Sequence, residues 1–174
     1  MTTEYLNNKY FEDLIFQFQT AKKEKNRYEV FINDIKDTEI RTSKRGKYKK
    51  PELWIEIEKK YQIINSDFQE IQTRLAVEFL TLSQNIVGYA KFNLIDHDDA
   101  IQEGVMICFE KVDRFDPARG KAFNYMSTCI FNSLKQLFRT ARNYSELKRK
   151  YLDFISLQQS HEIPAKVKTI YKNN

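Results

Sequence analysis

The chain has 174 residues, of which 30% are charged, with a net charge of +5 and only four glycines and three prolines. Few helix breakers among many helix formers predict an all-α protein of one domain or one and a half, and the positive charge favours a polyanionic partner. No apolar run approaches the ~20 residues that span a membrane, and no signal peptide pattern occurs, so we expect a soluble intracellular protein.

Several classes of site are absent from the sequence. There is no phosphate-binding glycine loop, no nucleophile paired with a base and no pair of carboxylates, which argues against an enzyme or a cofactor. The two histidines form no HExxH pattern and the two cysteines no CxxC pattern, which argues against a metal site. Cys108 and Cys129 fall on apolar or partly apolar helix positions, where we expect buried thiols rather than a disulfide.

The N-terminal part, residues 1–50, predicts a long helix and a basic loop. Asn7 or Asn8 is the candidate N-cap of a helix that starts near Lys9 and reaches about Ile35. Its apolar stripe consists of Phe11, Leu14, Ile15 and Phe18. The stretch RTSKRGKYKK, Arg41 to Lys50, holds six cations and no acid. It is either a solvated linker or a loop that contacts phosphates.

Two helices are predicted between residues 51 and 92. Pro51 suits the first turn of a helix that ends near Ile64. Ser66 or Asp67 is the candidate cap of a second helix that runs to about Phe92. The apolar positions are Leu53, Trp54, Ile57 and Tyr61 in the first helix, and Ile71, Leu75, Phe79, Leu82 and Ile86 in the second. Gly88 either allows a close approach of two helices or weakens the last turns.

A helical hairpin is predicted from Asp96 to Lys150. Steps of four and three place five apolar residues on one face of its first helix: Ile101, Val105, Cys108, Val112 and Phe115. Asp98 or Asp99 marks the start of this helix. Pro117 stops it, because a residue before proline is pushed out of the α region, and Gly120 closes the loop FDPARG.

The second helix of the hairpin, Ala122 to about Arg142, has two distinct faces. One face is apolar and consists of Met126, Ile130, Leu134, Leu137 and Ala141. The other carries a ring, hydrogen-bonding groups and three cations without an acid: Tyr125, Thr128, Asn132, Lys135, Arg139 and Arg142. This second face is either a solvated surface or a surface for a nucleic-acid backbone with bases stacked at one end.

The stretch NYSELKRKYLDFISL beyond Arg142 is again predicted to be helical. Apolar side chains lie on one side of it: Tyr144, Leu147, Tyr151, Phe154 and Ile155. Lys148, Arg149 and Lys150 add a cationic cluster. Pro164 prevents a simple helix through the tail. We therefore divide the remaining chain into a helical domain, 51–160, and a short tail, 161–174.

The segments DAIQEG, FEKVDRFDPARG and KAFNYMSTCIFNSLKQ, in this order, resemble region two of bacterial sigma factors. That family reads approximately DLIQEG, then a loop of the KFD or RFD type with RG, then FSTYA and an aromatic pair. The stretches YLNNK and CIFNSLKQLFRTARNYSELKRKYLDF resemble a narrower group, the late-transcription sigma factors of T-even-type bacteriophages. The resemblance implies a multi-helix bundle that directs promoter recognition and melting at an A·T-rich minus-ten-like element in the bacterial host cytoplasm.

The resemblance also implies a polymerase-binding surface on the first helix of the hairpin. In the family, this surface docks on the clamp helices of the large subunit of core RNA polymerase, a basic and apolar coiled coil. The corresponding residues are Asp99, Gln102, Glu103, Met106 and Glu110, of which the first three match the family motif. The alternative is an ordinary acidic surface.

The second helix and its leading loop are implied to contact the promoter. Phe123 matches a family aromatic that traps a flipped base, and Tyr125 lies one position from the family tyrosine. Cys129 and Ile130 replace the tryptophan pair that starts melting, so Tyr125 and Phe131 are the nearest substitutes. By alignment, Ser133 and Gln136 fall where the family reads duplex DNA, and the expected backbone contacts are Arg114, Arg119, Lys121, Lys135, Arg139 and Arg142.

Two rival functions remain open at this stage. The first is a stand-alone helical DNA-binding regulator, and the second is a protein that docks on polymerase without contacting DNA. The acidic face and the lack of a compact helix-turn-helix argue against the first, and the cationic face argues against the second. The phage resemblance adds a co-activator and the replication sliding clamp as candidate partners, although the tail AKVKTIYKNN lacks the hydrophobic and acidic pattern that binds the clamp.

Overall fold

The computed structural model describes residues 6–43, 52–90 and 93–162, and within them every regular element is helical. The elements are α1 (Asn8–Ser43), α2 (Glu52–Ala90), α3 (His97–Lys111), two 3-10 turns (Val112–Arg114 and Pro117–Arg119) and α4 (Ala122–Glu162). The all-α prediction is therefore confirmed. Among these residues no helix combines the length and the apolar character that crossing a bilayer requires.

Helix α1 begins as predicted and extends further than predicted. The Oδ1 atom of Asn7 accepts hydrogen bonds from the backbone N–H groups of Lys9 (3.2 Å) and Tyr10 (3.3 Å), so Asn7 is the N-cap. The helix continues to Ser43 instead of ending near Ile35, because no glycine or proline interrupts it. Residues 41–43 of the predicted basic loop are thus helical, and 44–50 lie outside the described residues, as do Pro51 and the tail from residue 163.

Helix α2 is continuous, and the predicted break at Ser66 or Asp67 is wrong. Serine and aspartate lower helix propensity by only about 0.5 kcal/mol each, and tertiary packing outweighs that cost. The packing is provided by Phe68, whose ring centroid lies 5.3 Å from that of Phe18 in α1. Phe11 and Phe79 form a second contact at 5.8 Å. The opposite order of these partners along the two helices shows that α1 and α2 are antiparallel.

Helix α3 packs into the groove between α2 and α4. A Cβ atom on Gly104 would lie 2.6 Å from the Oγ atom of Ser83 in α2 and 3.4 Å from the side chain of Ile130 in α4. Gly104 is therefore the glycine that allows the helices to approach closely. Gly88, for which the sequence offered this role, is exposed, and a Cβ atom there would meet nothing within 4 Å.

The core contains most of the predicted apolar stripes, together with Phe68, Val87, Ala100 and Ala122, which the periodicity did not predict. The ring of the half-buried Phe109 lies 5.0 Å from that of Phe79 and 6.1 Å from that of Phe18, and so joins α3 to α1 and α2. The members of the predicted stripes that belong to this core are Phe11, Leu14, Ile15, Phe18, Leu75, Phe79, Leu82, Ile101, Cys108, Val112, Phe115, Met126, Ile130 and Leu134, and Trp54 is buried outside it. Since α1 contributes to the same core as α2–α4, a boundary at residue 50 separates no independent core; the division into 1–50, 51–160 and 161–174 stays a prediction.

Helix α4 joins the two segments that were predicted on either side of Arg142. No glycine or proline lies between Ala122 and Glu162, and the structure shows one helix across this range. Its first half is packed against the bundle. In its second half, from Arg142 to Gln158, every side chain is exposed except that of Ile155, which is half-buried.

Both cysteines are free thiols, as predicted. Cys108 is fully buried, and burial raises its pKa to about 12. Cys129 is only half-buried, and burial raises its pKa as well. These thiols resist ionisation, so they behave as packing groups at neutral pH.

Candidate functional site

The acidic end of α3 is organised by Asp96 rather than by the two aspartates that follow it. The Oδ1 atom of Asp96 accepts hydrogen bonds from the N–H groups of Asp98 (2.9 Å) and Asp99 (3.3 Å). Asp96 is the N-cap, so the prediction that Asp98 or Asp99 starts the helix is wrong by two or three residues. Both lie in the first turn, where the partial positive charge of the helix end favours a carboxylate.

Four of the five predicted polymerase-binding residues form one exposed surface on α3. Asp99, Gln102, Met106 and Glu110 follow one another at steps of three and four and are all exposed, with 67% of Met106 accessible. We call these four residues the acidic face. A hydrogen bond from Lys111 lowers the pKa of Glu110, so that carboxylate stays ionised.

Glu103, the fifth predicted polymerase-binding residue, faces α4. It is half-buried, and its Oε1 atom accepts a hydrogen bond of 2.5 Å from the hydroxyl of Ser133. Ser133 was expected to contact duplex DNA. The structure thus pairs a predicted polymerase contact with a predicted DNA contact. The hydrogen bond between these two side chains joins α3 to α4.

The loop between α3 and α4 is a pair of tight turns. The Oδ1 atom of Asp116 accepts from the N–H of Ala118 at 3.0 Å, and the Asp116 carbonyl accepts from the N–H of Arg119 at 3.0 Å. Gly120 has a φ of 148°, a conformation that L side chains rarely adopt, so glycine is required there. Arg114, Arg119 and Lys121, three predicted backbone contacts, are exposed, and Arg119 forms an ion pair of 3.5 Å with Asp116.

Helix α1 is attached to this loop by hydrogen bonds and an ion pair. The side-chain amide of Gln19 donates to the carbonyl oxygens of Val112 (2.7 Å) and Phe115 (3.1 Å). The Nζ atom of Lys22 lies 2.5 Å from the Oδ2 atom of Asp113. These contacts join residues about ninety positions apart, so no local sequence pattern could have indicated them.

Helix α1 also contacts the start of α4. The N–H of Ala122 donates to the carboxylate of Glu12 at 3.4 Å. A first-turn N–H has no partner within its own helix, and a carboxylate at that end is favoured by the helix dipole. The side chain of Glu12 therefore acts as an N-terminal cap supplied from another helix.

The aromatic residues at the start of α4 differ in accessibility. Phe123 is 36% exposed and lies at the surface. Tyr125 is half-buried, its ring centroid lies 5.7 Å from that of Phe115, and its hydroxyl donates to the carbonyl oxygen of Lys111 at 3.3 Å. Burial raises the pKa of the Tyr125 hydroxyl. Phe131 is also half-buried, with the ammonium group of Lys135 5.4 Å from its ring centroid.

The predicted polar face of α4 lies in solvent beyond Tyr125. Its exposed members are Thr128, Asn132, Lys135, Arg139 and Arg142, and Gln136, which was predicted separately to read duplex DNA, is exposed beside them. We call these six residues the cationic face. The hydroxyl of Thr128 donates to the carbonyl oxygen of Asn124 at 2.8 Å, and Arg142 pairs with Glu146 at 3.2 Å. Glu146 is therefore an acid that borders the C-terminal end of this face.

Comparison with known proteins identifies one segment of the chain. Residues 81–144, which run from the last turns of α2 to the middle of α4, match the family model of sigma-70 region 2. No curated protein and no solved structure gives a significant match. The match supports the resemblance to sigma factor region two for this segment, and every residue of the acidic and cationic faces falls inside it.

Proposed function

We propose that the protein is a sigma factor that brings RNA polymerase to a promoter and serves the late genes of a bacteriophage. The observation that carries the proposal is the match of residues 81–144 to sigma-70 region 2. Within that segment, an acidic face on α3 and a cationic face on α4 are both exposed. A sigma factor requires these two surfaces, one for a protein and one for DNA, and contributes no active site of its own.

The acidic face suits a basic and apolar helical partner such as the clamp helices of core polymerase. Asp99 and Glu110 supply charge, and the exposed Met106 supplies an adaptable apolar contact. Because Glu103 is half-buried and hydrogen-bonded to Ser133, it joins α3 to α4 and contributes less to the contact surface than the four exposed residues do.

The start of α4 suits an unstacked base of the non-template strand. Extruding a base costs a few kcal/mol, and stacking on a ring returns about 1–3 kcal/mol per base. Phe123 is the accessible ring, whereas Tyr125 is already packed on Phe115 and would form the wall of a base pocket. Because the cost of extruding a base and the gain from stacking are similar, an A·T-rich element and assistance by a phage co-activator are favoured.

The cationic face suits the duplex upstream of the melted element. Gln136 is exposed and has the amide that pairs bidentately with adenine. Ser133 is engaged by Glu103, so Gln136 is the better candidate for base reading. Phosphate contacts would come from the loop and the helix together: Arg114, Arg119, Lys121, Lys135, Arg139 and Arg142.

The central test is run-off transcription on a supercoiled template with an A·T-rich promoter, using host core RNA polymerase with and without the protein. We expect initiation at a defined site only when the protein is present. A pull-down with core enzyme accompanies it, and failure to bind the core enzyme would reject the proposal.

The acidic face has its own test. We expect Asp99→Arg to abolish core binding while helicity measured by circular dichroism stays unchanged, because the residue is exposed. Glu24→Arg, at an exposed position of α1, is the matched control. Retained core binding in Asp99→Arg would rule out this docking surface.

The base pocket is tested by Phe123→Ala, with Phe16→Ala as the control because Phe16 presents a more exposed ring on α1. We expect Phe123→Ala to reduce open-complex formation, measured by permanganate reactivity of unpaired thymines, far more than core binding. Equal losses of both would indicate a folding defect instead.

The second candidate function is a stand-alone DNA-binding regulator, which the exposed cationic face also favours. Its signature would be tight, sequence-specific binding of duplex DNA in a mobility-shift assay without polymerase. A sigma factor of this size should show only weak, salt-sensitive binding in the same assay.

A further inference from the structure

The second half of α4 exposes a row of large apolar side chains that nothing in the described bundle covers. Tyr144, Leu147, Tyr151 and Phe154 are 69%, 65%, 63% and 57% exposed. We call these four residues the terminal stripe. Apart from Tyr144, they lie beyond the segment that matches sigma-70 region 2, so the function proposed above does not account for them.

The terminal stripe continues the packed seam of α4. The buried residues Ile130 and Leu134 are followed, at steps of three and four, by the half-buried Leu137 and Ala141 and then by Tyr144. At Tyr144 two steps of three follow one another, and from Tyr144 to Phe154 the steps of three, four and three are those of the a and d positions of a heptad. The stripe therefore has the pattern of a helix that packs against another helix, extended past the end of its own bundle.

The second half of α4 is a long helical stretch whose side chains are mostly exposed. Residues 142–158 span about 25 Å of helix at 1.5 Å per residue, and every side chain among them is exposed except that of the half-buried Ile155. In proteins most of the stability of a helix comes from burying an apolar face rather than from helix propensity. A covering partner would supply that burial.

The charges that border the terminal stripe are all of one sign. With Tyr144 and Tyr151 at a positions and Leu147 and Phe154 at d positions, Lys148 occupies position e and Lys150 occupies position g. The acids between residues 144 and 158, Glu146 and Asp153, both fall at position c on the far side. A helix packed on the stripe would meet ammonium groups on both edges.

We propose that the terminal stripe is the docking surface for an amphipathic helix of another protein whose own flanking positions are acidic. Apolar residues of the partner would pack on Leu147 and Tyr151, and its Glu or Asp side chains would pair with Lys148 and Lys150. Flanking charges of this kind select partners in coiled coils. The surface stands on these residues alone and does not depend on the polymerase role.

Charge complementarity distinguishes this partner from two others. A second copy of the chain would bring Lys148 and Lys150 to the interface again, and between residues 144 and 154 no acid occupies an e or g position to meet them. Nucleic acid would pair with the lysines and stack on the tyrosines, but Leu147 and the exposed Leu152 and Leu157 offer it nothing. An acidic apolar helix uses both the stripe and its borders.

The test measures the binding of two labelled synthetic peptides to the full-length protein by fluorescence anisotropy. Both peptides have about four heptads with leucine at a and d; one carries glutamate at e and g, and the other carries lysine there. We expect the glutamate peptide to bind at least about tenfold more tightly than the lysine peptide. Equal binding, or binding of neither peptide, would overturn the proposal.

Variants separate the two components of the surface. Leu147→Ser with Tyr151→Ser should weaken binding of the glutamate peptide at least about tenfold, and Lys148→Glu with Lys150→Glu should reverse the peptide preference. Arg149→Glu, at position f on the far side, is the matched control and should bind like the unchanged protein. All of these positions are exposed, so the thermal unfolding midpoint should stay constant in each variant.

Two further measurements identify the competing occupants. A dimer seen by sedimentation and lost in the double serine variant would assign the stripe to a second copy. Oligonucleotide binding lost in that variant, without binding of the glutamate peptide, would assign the stripe to nucleic acid. Either result would overturn the proposal.

Discussion

Replacing Gln19 by leucine should destabilise the protein by about 2 kcal/mol. The side-chain amide donates to the carbonyl oxygens of Val112 and Phe115 at 2.7 Å and 3.1 Å in a partly buried site. Leucine has a similar size but no donor, so both carbonyls lose a partner. A lost hydrogen bond costs about 0.5–1.5 kcal/mol, and an unsatisfied buried group costs about 1–3 kcal/mol.

The neighbouring ion pair is a weaker tie for the same loop. Lys22 and Asp113 are more than a third exposed, and pairs of that kind contribute about 0–1 kcal/mol. Gln19 should therefore dominate the attachment of the loop to α1. We expect the midpoint of urea unfolding to fall without a change in slope.

Gln17→Leu is the matched control, because Gln17 lies on the exposed side of the same helix. It should change the free energy of unfolding by less than about 0.5 kcal/mol. If Gln19→Leu and Gln17→Leu have the same stability, α1 does not hold the loop through this amide, and the argument for its positioning role fails.

Three further predictions concern packing, capping and pH. Gly104→Ala should lower the urea midpoint, because its Cβ would lie 2.9 Å from the Cβ of Ser83, whereas Gly88→Ala meets open space and should raise stability by about 0.5–1 kcal/mol. Asp96→Ala should cost about 1 kcal/mol in the same assay, because it removes the N-cap of α3. Burial raises the pKa of Cys108 from 9.0 to about 12, so the unfolded thiol ionises first and the free energy of unfolding should fall as pH rises above 9.0. Cys108→Ala should make that fall shallower in urea titrations at several pH values.

Much of the core could be predicted because apolar periodicity is a local signal. Steps of three and four placed Phe11, Leu75 and Ile130 on buried faces, and all three are fully buried. Asn7 was recognisable as a cap for a similar reason, since a short polar side chain before a helix bonds to the next few N–H groups. Information of this kind lies within about one helical turn of the residue concerned.

Helix boundaries were harder to predict because weak signals compete with packing. Ser66 and Asp67 have the composition of a cap, yet Phe68 is buried against Phe18 and the helix continues through them. The composition of the stretch beyond Arg142 gave no reason for an interruption, and α4 runs straight through it. A residue of the capping type marks a helix end only where tertiary packing does not favour continuation of the helix.

The contacts that shape the candidate site could not be predicted because they join distant parts of the chain. Gln19 lies 93 positions from Val112, and Glu12 lies 110 positions from Ala122. Gly104 reads in the sequence as one of four glycines, and only the packing of α3 against Ser83 shows why a side chain would not fit there.

The hydrogen bond between Ser133 and Glu103 determines which residues can separate the two proposed surfaces. It joins α3 to α4 at 2.5 Å, so a substitution at either residue disturbs the acidic and the cationic face together. Asp99 and Gln136 lie on those faces with exposed side chains and outside this bond. Loss of core binding at Asp99 with DNA recognition intact, and the converse at Gln136, would show that one hairpin carries two independent surfaces. Parallel losses at both would mean that the two helices respond as a single unit.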